Sequence, residues 1–341
     1  QTKPEADKQY NHYLREIEPE LDHNEEQIRE WLDLNRDAPL ISIIIPTYNT
    51  NSNHLRKCIE SVCRQSYPNW ELCICDDSSS AVSVQTILKS YQSLDPRIKL
   101  IFREKNGHIC EASNDALSLA TGEYVALLDH DDILADNALY WVARELQQKP
   151  QANLVYSDED KISDNGMRSC PHFKPAFNID LLLSYNFISH LGVYRREILK
   201  QIGGFRVGFE GSQDHDLALR TVLESSPDQI IHIPRVLYHW RAHSESTASN
   251  PDSKDYTTES GHKAVQHFLD EQHRRGGVKA TARIKARNRF ICQWHTPEKS
   301  PSVELIIPTR DQAEVLNLAV DSIITKTLSL IHISEPTRQV Q

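Results

Sequence analysis

The feature that most constrains this chain is the stretch Tyr124-Val125-Ala126-Leu127-Leu128-Asp129-His130-Asp131-Asp132. Five consecutive apolar residues shortly after Gly122 predict a strand buried on both faces. A run of that kind ordinarily continues into another apolar residue or a turn. This one ends in three carboxylates within four positions. Carboxylates at the C-terminal end of a buried parallel strand stand where open α/β sheets place their ligands. Packed together they repel one another unless a cation or an array of donors compensates. A hard divalent ion, Mg2+ or Mn2+, shared with substrate phosphates is the economical compensator. A helix cap accounts for one carboxylate, Asp132 or Asp136, and leaves the others unexplained.

The preceding residues predict how that strand is housed. Ile41 to Ile45 reads as a short buried strand ending in Pro46-Thr47-Tyr48-Asn49, and Leu55, Cys58, Ile59, Val62 and Cys63 recur at helical spacing. Trp70 to Cys75 is a second strand, closed by Asp76-Asp77-Ser78-Ser79. A helix near Val84 to Tyr91, a strand at Ile98 to Phe102 and a helix through Ala112, Ala116 and Leu119 lead to the acidic strand. Strand and helix alternate four times, which predicts an α/β fold with a doubly wound, mostly parallel sheet. Asp76-Asp77 and Asp129 to Asp132 then share one sheet edge. No G-x-G-x-x-G follows the first strand, which argues against a dinucleotide-binding Rossmann domain. Phosphates would have to be neutralised another way, and a carboxylate-held metal supplies it. The net charge of -10 argues against a nucleic-acid partner, and the longest apolar runs are too short to cross a bilayer. Cys73 and Cys75, alternating inside a strand, read as reduced core thiols of a cytosolic protein.

A second chemical signature follows Gly203-Gly204-Phe205. Asp214, in Gly211-Ser212-Gln213-Asp214-His215-Asp216, sits just before or in the first turn of a helix, where the helix dipole keeps a carboxylate ionised as a general base should be. Asp216 competes with it as the cap. Ser157 to Lys161 reads as a solvated polar loop carrying Asp158 and Asp160, and Val236 to His243 as the end of another short strand. Ser244 to Ser260 is polar enough for a mobile loop that orders over bound nucleotide. Residues 1–38 read as an amphipathic helical extension, 39–275 as the main domain and 276–301 as a linker. Ser302 to Arg310 restates Ile41 to Tyr48, and Leu316 to Ile324 restates the helix after it. Residues 302–327 therefore look like the start of a second, truncated domain, while 328–341 break the pattern and read as a non-native tail.

Ile43-Ile44-Ile45-Pro46-Thr47-Tyr48-Asn49, Asp76-Asp77-Ser78-Ser79 and Gly122 through Asp132 resemble the successive motifs of family 2 glycosyltransferases, over about Ile41 to His243. The resemblance implies a GT-A fold and inverting transfer from a nucleotide-activated sugar. It implies that Pro46 and Tyr48 line the base pocket, Asp77 bonds the nucleobase, Asp129 lies near the ribose and Asp131 binds the metal bridging the diphosphate. Asp214 would be the base; the family pattern has Glu before this Asp, where this chain has Gln213. Relatives of the fold place a third metal ligand at a strand end like that of His239, with His243 the alternative, and imidazole among carboxylates suits Mn2+ better than Mg2+. Arg241 is placed to meet the departing diphosphate. Phe173 to His190 would build acceptor-facing surface; the other reading is that Phe173, Phe177 and Leu181 to Leu183 pack the sheet edge. Tandem relatives imply a nucleotide-diphosphate sugar and a glycan or lipid-linked glycan acceptor in surface polysaccharide synthesis, at the cytoplasmic face of a membrane with peripheral contact. Three readings compete. A nucleotidyltransferase of similar fold would show a Gly-rich phosphate loop, and a phosphoesterase leaves Asp77 and Pro46 to Tyr48 unexplained. Asp77, Asp131, Asp214 and His239 occurring together argue against a non-catalytic nucleotide-sugar or glycan-binding module.

Overall fold

The computed structural model describes residues 3–241, 255–296 and 304–326. His243, residues 244–254 of the predicted mobile loop, and the tail from 328 lie outside the described residues. The chain divides into two compact units, Gln1–Thr296 and Pro297–Gln341.

The first unit is built on a nine-stranded sheet. Strands β1 (Ile41–Thr47), β2 (Trp70–Asp76), β3 (Ile98–Phe102) and β4 (Tyr124–Leu127) run parallel, in the order β3-β2-β1-β4. Between them lie α1 (Ser52–Cys63), α2 (Val82–Leu94) and α3 (His108–Ser118). Alternation along the strands divides the core. Ile43, Ile45, Leu72 and Ile74 face one apolar layer with Leu55, Val62 and Leu88, while Ile44, Cys73, Cys75 and Val125 face the other with Ala112 and Ala116. That two-sided burial explains why these strands read as unbroken apolar runs.

Beyond β4 the sheet becomes mixed. Strand β5 (Ile133–Leu134) follows the acidic turn, then come β6 (Leu154–Ile162), β7 (Arg168–His172), β8 (Gly192–Arg195) and β9 (Ile230–Arg241). The order continues β4-β8-β6-β9-β5, with β7 on β6. Strand β5 is next to β4 in sequence yet ends the sheet, so residues 128–132 bridge from the middle of the sheet to its last strand. Asp132 records the bridge: its carboxylate accepts from Tyr238 Oη at 2.5 Å and from the amide of Arg241 at 2.7 Å, both on β9.

Several expectations are corrected here. Ser157 to Lys161 is not a solvated loop but the middle of β6, paired with β9 and β7, and Asp158, Glu159 and Asp160 are buried. The polar composition misled because each carboxylate has a cationic or imidazole partner below the surface: His232 for Asp158, Lys174 for Glu159, Arg168 and His239 for Asp160. The 276–301 segment, which reads as a strand-like linker, does contain strand but is also packed into the core. Residues 280–294 form a hairpin of β10 (Ala280–Ala286) and β11 (Arg289–Trp294), with Ala280, Ala282 and Phe290 buried in the second apolar layer. The predicted loop already turns helical at Asp255, the start of a helix running to Arg274. At the N-terminus, Tyr10 donates to Asp160 at 2.5 Å and Arg168 binds Glu18 at 2.7 Å, so the extension is bonded onto β6 and β7.

In the second unit, Leu305, Ile306 and Ile307 are exposed and form no strand, while Ala313–Lys326 is a helix with no buried residue. No helix of the described residues is long and apolar enough to cross a membrane.

Candidate active site

Three loops meet at the C-terminal edge of the parallel strands. The turns after β1 and β2 are cross-linked: Asn49 N donates to Ser79 Oγ at 2.8 Å and Ser80 N to Asn49 Oδ1 at 2.9 Å. Asn49 and Ser78 both hold positive φ, 45° and 62°, the left-handed turn that Asn tolerates best among residues with a side chain. Tyr48 is 48% exposed above this pair of turns. Asp77 is buried behind them; its Oδ1 accepts from Gly107 N at 2.9 Å and pairs with Arg103 Nε at 3.0 Å. Asp77 Oδ2 makes no hydrogen bond among the described residues, which leaves it available to a base edge. The acidic turn is tied to β1 through His130 Nδ1, 3.1 Å from the carbonyl of Pro46.

The acidic turn itself divides its labour. Asp132 is fully buried and committed to β9, and burial, then the charges of Asp129 and Asp131, raise its pKa well above the carboxylate range. Asp129 keeps a side chain 41% exposed to the cleft. Burial of its surroundings raises its pKa, Asp131 and Asp214 push the same way, and His190 and His130 oppose them. The Asp214 contribution places that carboxylate within electrostatic reach of the acidic turn, although 85 positions separate them in sequence.

Asp214 lies in the first turn of the helix Gln213–Leu223. Its neighbour Asp216 is not a cap: it is buried and held by Arg206 and Arg220, the latter at 2.8 Å. Asp214 accepts through Oδ2 from Asn186 Nδ2 at 2.8 Å, and its Oδ1 accepts no hydrogen bond among the described residues. Gly211, just upstream, has φ +79°, and a Cβ there would meet Thr257 at 2.6 Å, so only glycine lets the helix beginning at Asp255 close on this turn.

The segment that joins the two carboxylates lies in the stretch read as acceptor-facing surface, where the sequence assigned no role to Asn186 or His190. Asn186 holds Asp214, and four residues later His190 Nε2 stands 3.8 Å from Asp129 Oδ2, stacked on Tyr238 with centroids 4.5 Å apart. Beneath it, buried Lys174 donates to the carbonyls of Ile188 and His190 and to Glu159, whose carboxylate also accepts from the His190 amide at 3.0 Å. The one available signal was the interruption of Phe187-Ile188 by polar Asn186, Ser189 and His190.

One group of potential metal ligands includes neither Asp131 nor His239. Among the described residues, Asp129, Asp132 and His190 offer ligand atoms within 4.8 Å of one another. His239 sits opposite Asp160 in the β6–β9 register, and its Nδ1 is 2.6 Å from that carboxylate. Arg241 is buried, with Nε 2.8 Å from the carbonyl of Asp131 and one guanidinium nitrogen, Nη2, unpartnered. Carboxylate oxygens with one imidazole form a donor set that fits Mn2+ or Mg2+.

Comparisons with known proteins bear on the family and the fold. The family model described as "Glycosyl transferase family 2" matches residues 42–203. The uncharacterized protein y4gI of Sinorhizobium fredii is 43% identical over 86% of the chain and 32% of its own length. The O-antigen biosynthesis protein RfbC of Myxococcus xanthus is 35% identical over 85% of the chain and 22% of its own length. The chain thus spans a third or less of these relatives. The crystal structure of S. aureus TarS 1-349 in complex with UDP-GlcNAc aligns with TM-score 0.53 at 19% identity, covering 69% of this chain and 72% of that one. The mannosyltransferase PcManGT of Pyrobaculum calidifontis, in complex with GDP-Man and Mn2+, aligns with TM-score 0.51 at 18% identity, covering 73% and 70%. The curled, mostly parallel sheet is the GT-A glycosyltransferase fold, and residues 42–203 carry the match to glycosyltransferase family 2.

Proposed function

We propose that the first unit is an inverting, metal-dependent transferase that moves a sugar from a nucleotide-diphosphate donor to a hydroxyl of a glycan acceptor. The observation that carries this reading is the convergence of Asp129 and Asp214 on one cleft, joined by residues 186–190. Pro46, Tyr48 and Asp77 would hold the nucleobase, and Asp129 the ribose. Asp129 and Asp131 would hold a divalent ion, with His190 in the place the sequence suggested for His239. When bound, that ion supplies electrophilic stabilisation of the diphosphate. Arg241 faces the same turn with a donor to spare. Asn186 fixes one oxygen of Asp214, so the other takes the proton of the acceptor hydroxyl. The hydroxyl oxygen then bonds to the anomeric carbon as the bond from that carbon to the diphosphate breaks, and the nucleoside diphosphate leaves. One displacement inverts the centre and requires no covalent intermediate.

The neighbouring complexes with UDP-GlcNAc and with GDP-Man and Mn2+ support a nucleotide-sugar donor and a divalent ion. The likeness to an O-antigen biosynthesis protein supports a surface-polysaccharide acceptor. The deciding assay is release of nucleoside diphosphate from a panel of nucleotide sugars, with and without Mn2+ and acceptor. In it Asp214→Asn should lose transfer by ~10²–10⁴-fold and keep nucleotide affinity. Equal loss of nucleotide affinity would move Asp214 out of the base role.

A further inference from the structure

The hairpin of β10 and β11 carries a charge pattern unlike the rest of the chain. Lys279, Arg283, Lys285, Arg287 and Arg289 fall within eleven residues, and no acidic residue occurs from 279 to 295, in a protein of net charge -10. All five are exposed, and none is paired with a carboxylate among the described residues. Five exposed cations on one hairpin, with no acidic residue between them, make a patch of one sign.

Position gives the patch its meaning. Asn288, at the tip, accepts from Thr257 Oγ1 at 3.2 Å and Thr258 Oγ1 at 3.0 Å, and these threonines open the helix packed on Gly211. Phe290 stacks near His215, with centroids 6.2 Å apart. Arg289 lies over the ring of Tyr185, 3.8 Å from its centroid, and Tyr185 precedes the Asn186 that holds Asp214. The tip is therefore folded against the Asp214 side of the cleft. An open hollow of about 630 Å³, lined by Phe177, Asn178, Asp180, Leu181 and Ser184 among others, ends one residue short of Tyr185. Trp294 and Ile291 add exposed apolar surface along the strands.

We infer that this hairpin is the acceptor-binding wall and that its ligand is an acidic glycan, one bearing uronate-type carboxylates. This rests on Asp214 being the acceptor-side base. Guanidinium groups match carboxylates in bidentate geometry, and aromatic faces pack on the C–H faces of sugar rings. An anionic membrane surface would also meet cations beside apolar residues. A tip tied inward to Thr257 and Thr258 suits a chain lying in the cleft better than a plane outside it.

The test uses the whole chain and four probes: oligogalacturonate, a neutral malto-oligosaccharide, vesicles of phosphatidylglycerol with phosphatidylcholine, and UDP or GDP with Mn2+. Oligogalacturonate should bind with an affinity that falls as salt rises, and the neutral oligosaccharide far more weakly. Arg287→Gln with Arg289→Gln should weaken oligogalacturonate by about tenfold or more and leave nucleotide binding unchanged. Lys285→Gln, on the exposed strand, gives a smaller loss in the same direction and guards against misfolding of the double variant. Lys149→Gln, at the far end of the strands, should have no effect. Equal binding of the neutral probe, vesicle binding without oligogalacturonate binding, or an equal loss from Lys149→Gln would overturn the proposal. The nucleotide arm reports on the donor site separately, so loss there sinks the transferase reading without deciding the hairpin's ligand.

Discussion

Asp132 and Asp131 are neighbours with opposite duties. Asp132 receives a tyrosine hydroxyl and a backbone amide and is sealed from water, whereas Asp131 adds charge to a turn already strained by repulsion. Replacing Asp131 by Asn should therefore abolish the gain in melting temperature that Mn2+ plus nucleotide gives the parent. Without metal the variant should melt no lower than the parent, because one repelling charge is gone. A variant that still gains stability from Mn2+ plus nucleotide would remove Asp131 from the ligand set. At this scale the sequence was informative about which residue types gather and weaker about which atoms remain open. Nothing in the spacing of His239 says that Asp160, on the adjacent strand, takes its Nδ1, and nothing in His190 says that a buried lysine holds its backbone toward Asp129.

Among the elements, the first four strands depend on a carboxylate at the end opposite the site. Glu71 on β2 accepts from Ser42 on β1 at 2.7 Å, from Lys99 on β3 at 2.6 Å, and from Thr121 and Gly122 before β4. Burial would raise its pKa, but Lys99, the Thr121 amide and the hydroxyls outweigh that and hold it at about 2 against an ordinary 4.5. A depressed carboxylate stabilises the fold above its unfolded pKa and loses that contribution as pH falls toward its folded one. Glu71 should thus contribute about 3 kcal/mol at pH 7, lost between pH 4.5 and about 2. Glu159, also held at about 2, loses its share over the same range. Urea titrations of Glu71→Gln should show lower stability at pH 7 and a shallower acid limb. An acid limb as steep as the parent's would mean that Glu71 titrates normally. The parallel strands were legible because two buried faces demand unbroken apolar runs; β6 was legible only in its apolar half, read as a strand from Ala152 to Tyr156, because buried ion pairs carry the rest.

For the whole molecule, Gln1–Thr296 and Pro297–Gln341 separate cleanly as compact units. Leu305 to Ile307, exposed and without a strand, are what a second domain of the same family would bury. A chain ending after Pro301 should keep the nucleotide affinity of the full chain and be more soluble. Destabilisation of the first unit by more than ~2 kcal/mol, the cost of losing a buried side chain, would mean that the segment docks on it. The acidic turn has a different kind of consequence. Five residues, 128–132, both span the sheet from β4 to β5 and carry the charge that the proposed chemistry needs. A clasp that doubles as a proposed reagent leaves evolution little freedom, since an insertion there would unfasten β5 from the sheet before it altered selectivity. Diversification of donor preference should instead accumulate in the cross-linked turns after β1 and β2, where Tyr48 is open to solvent and the backbone already tolerates unusual torsions.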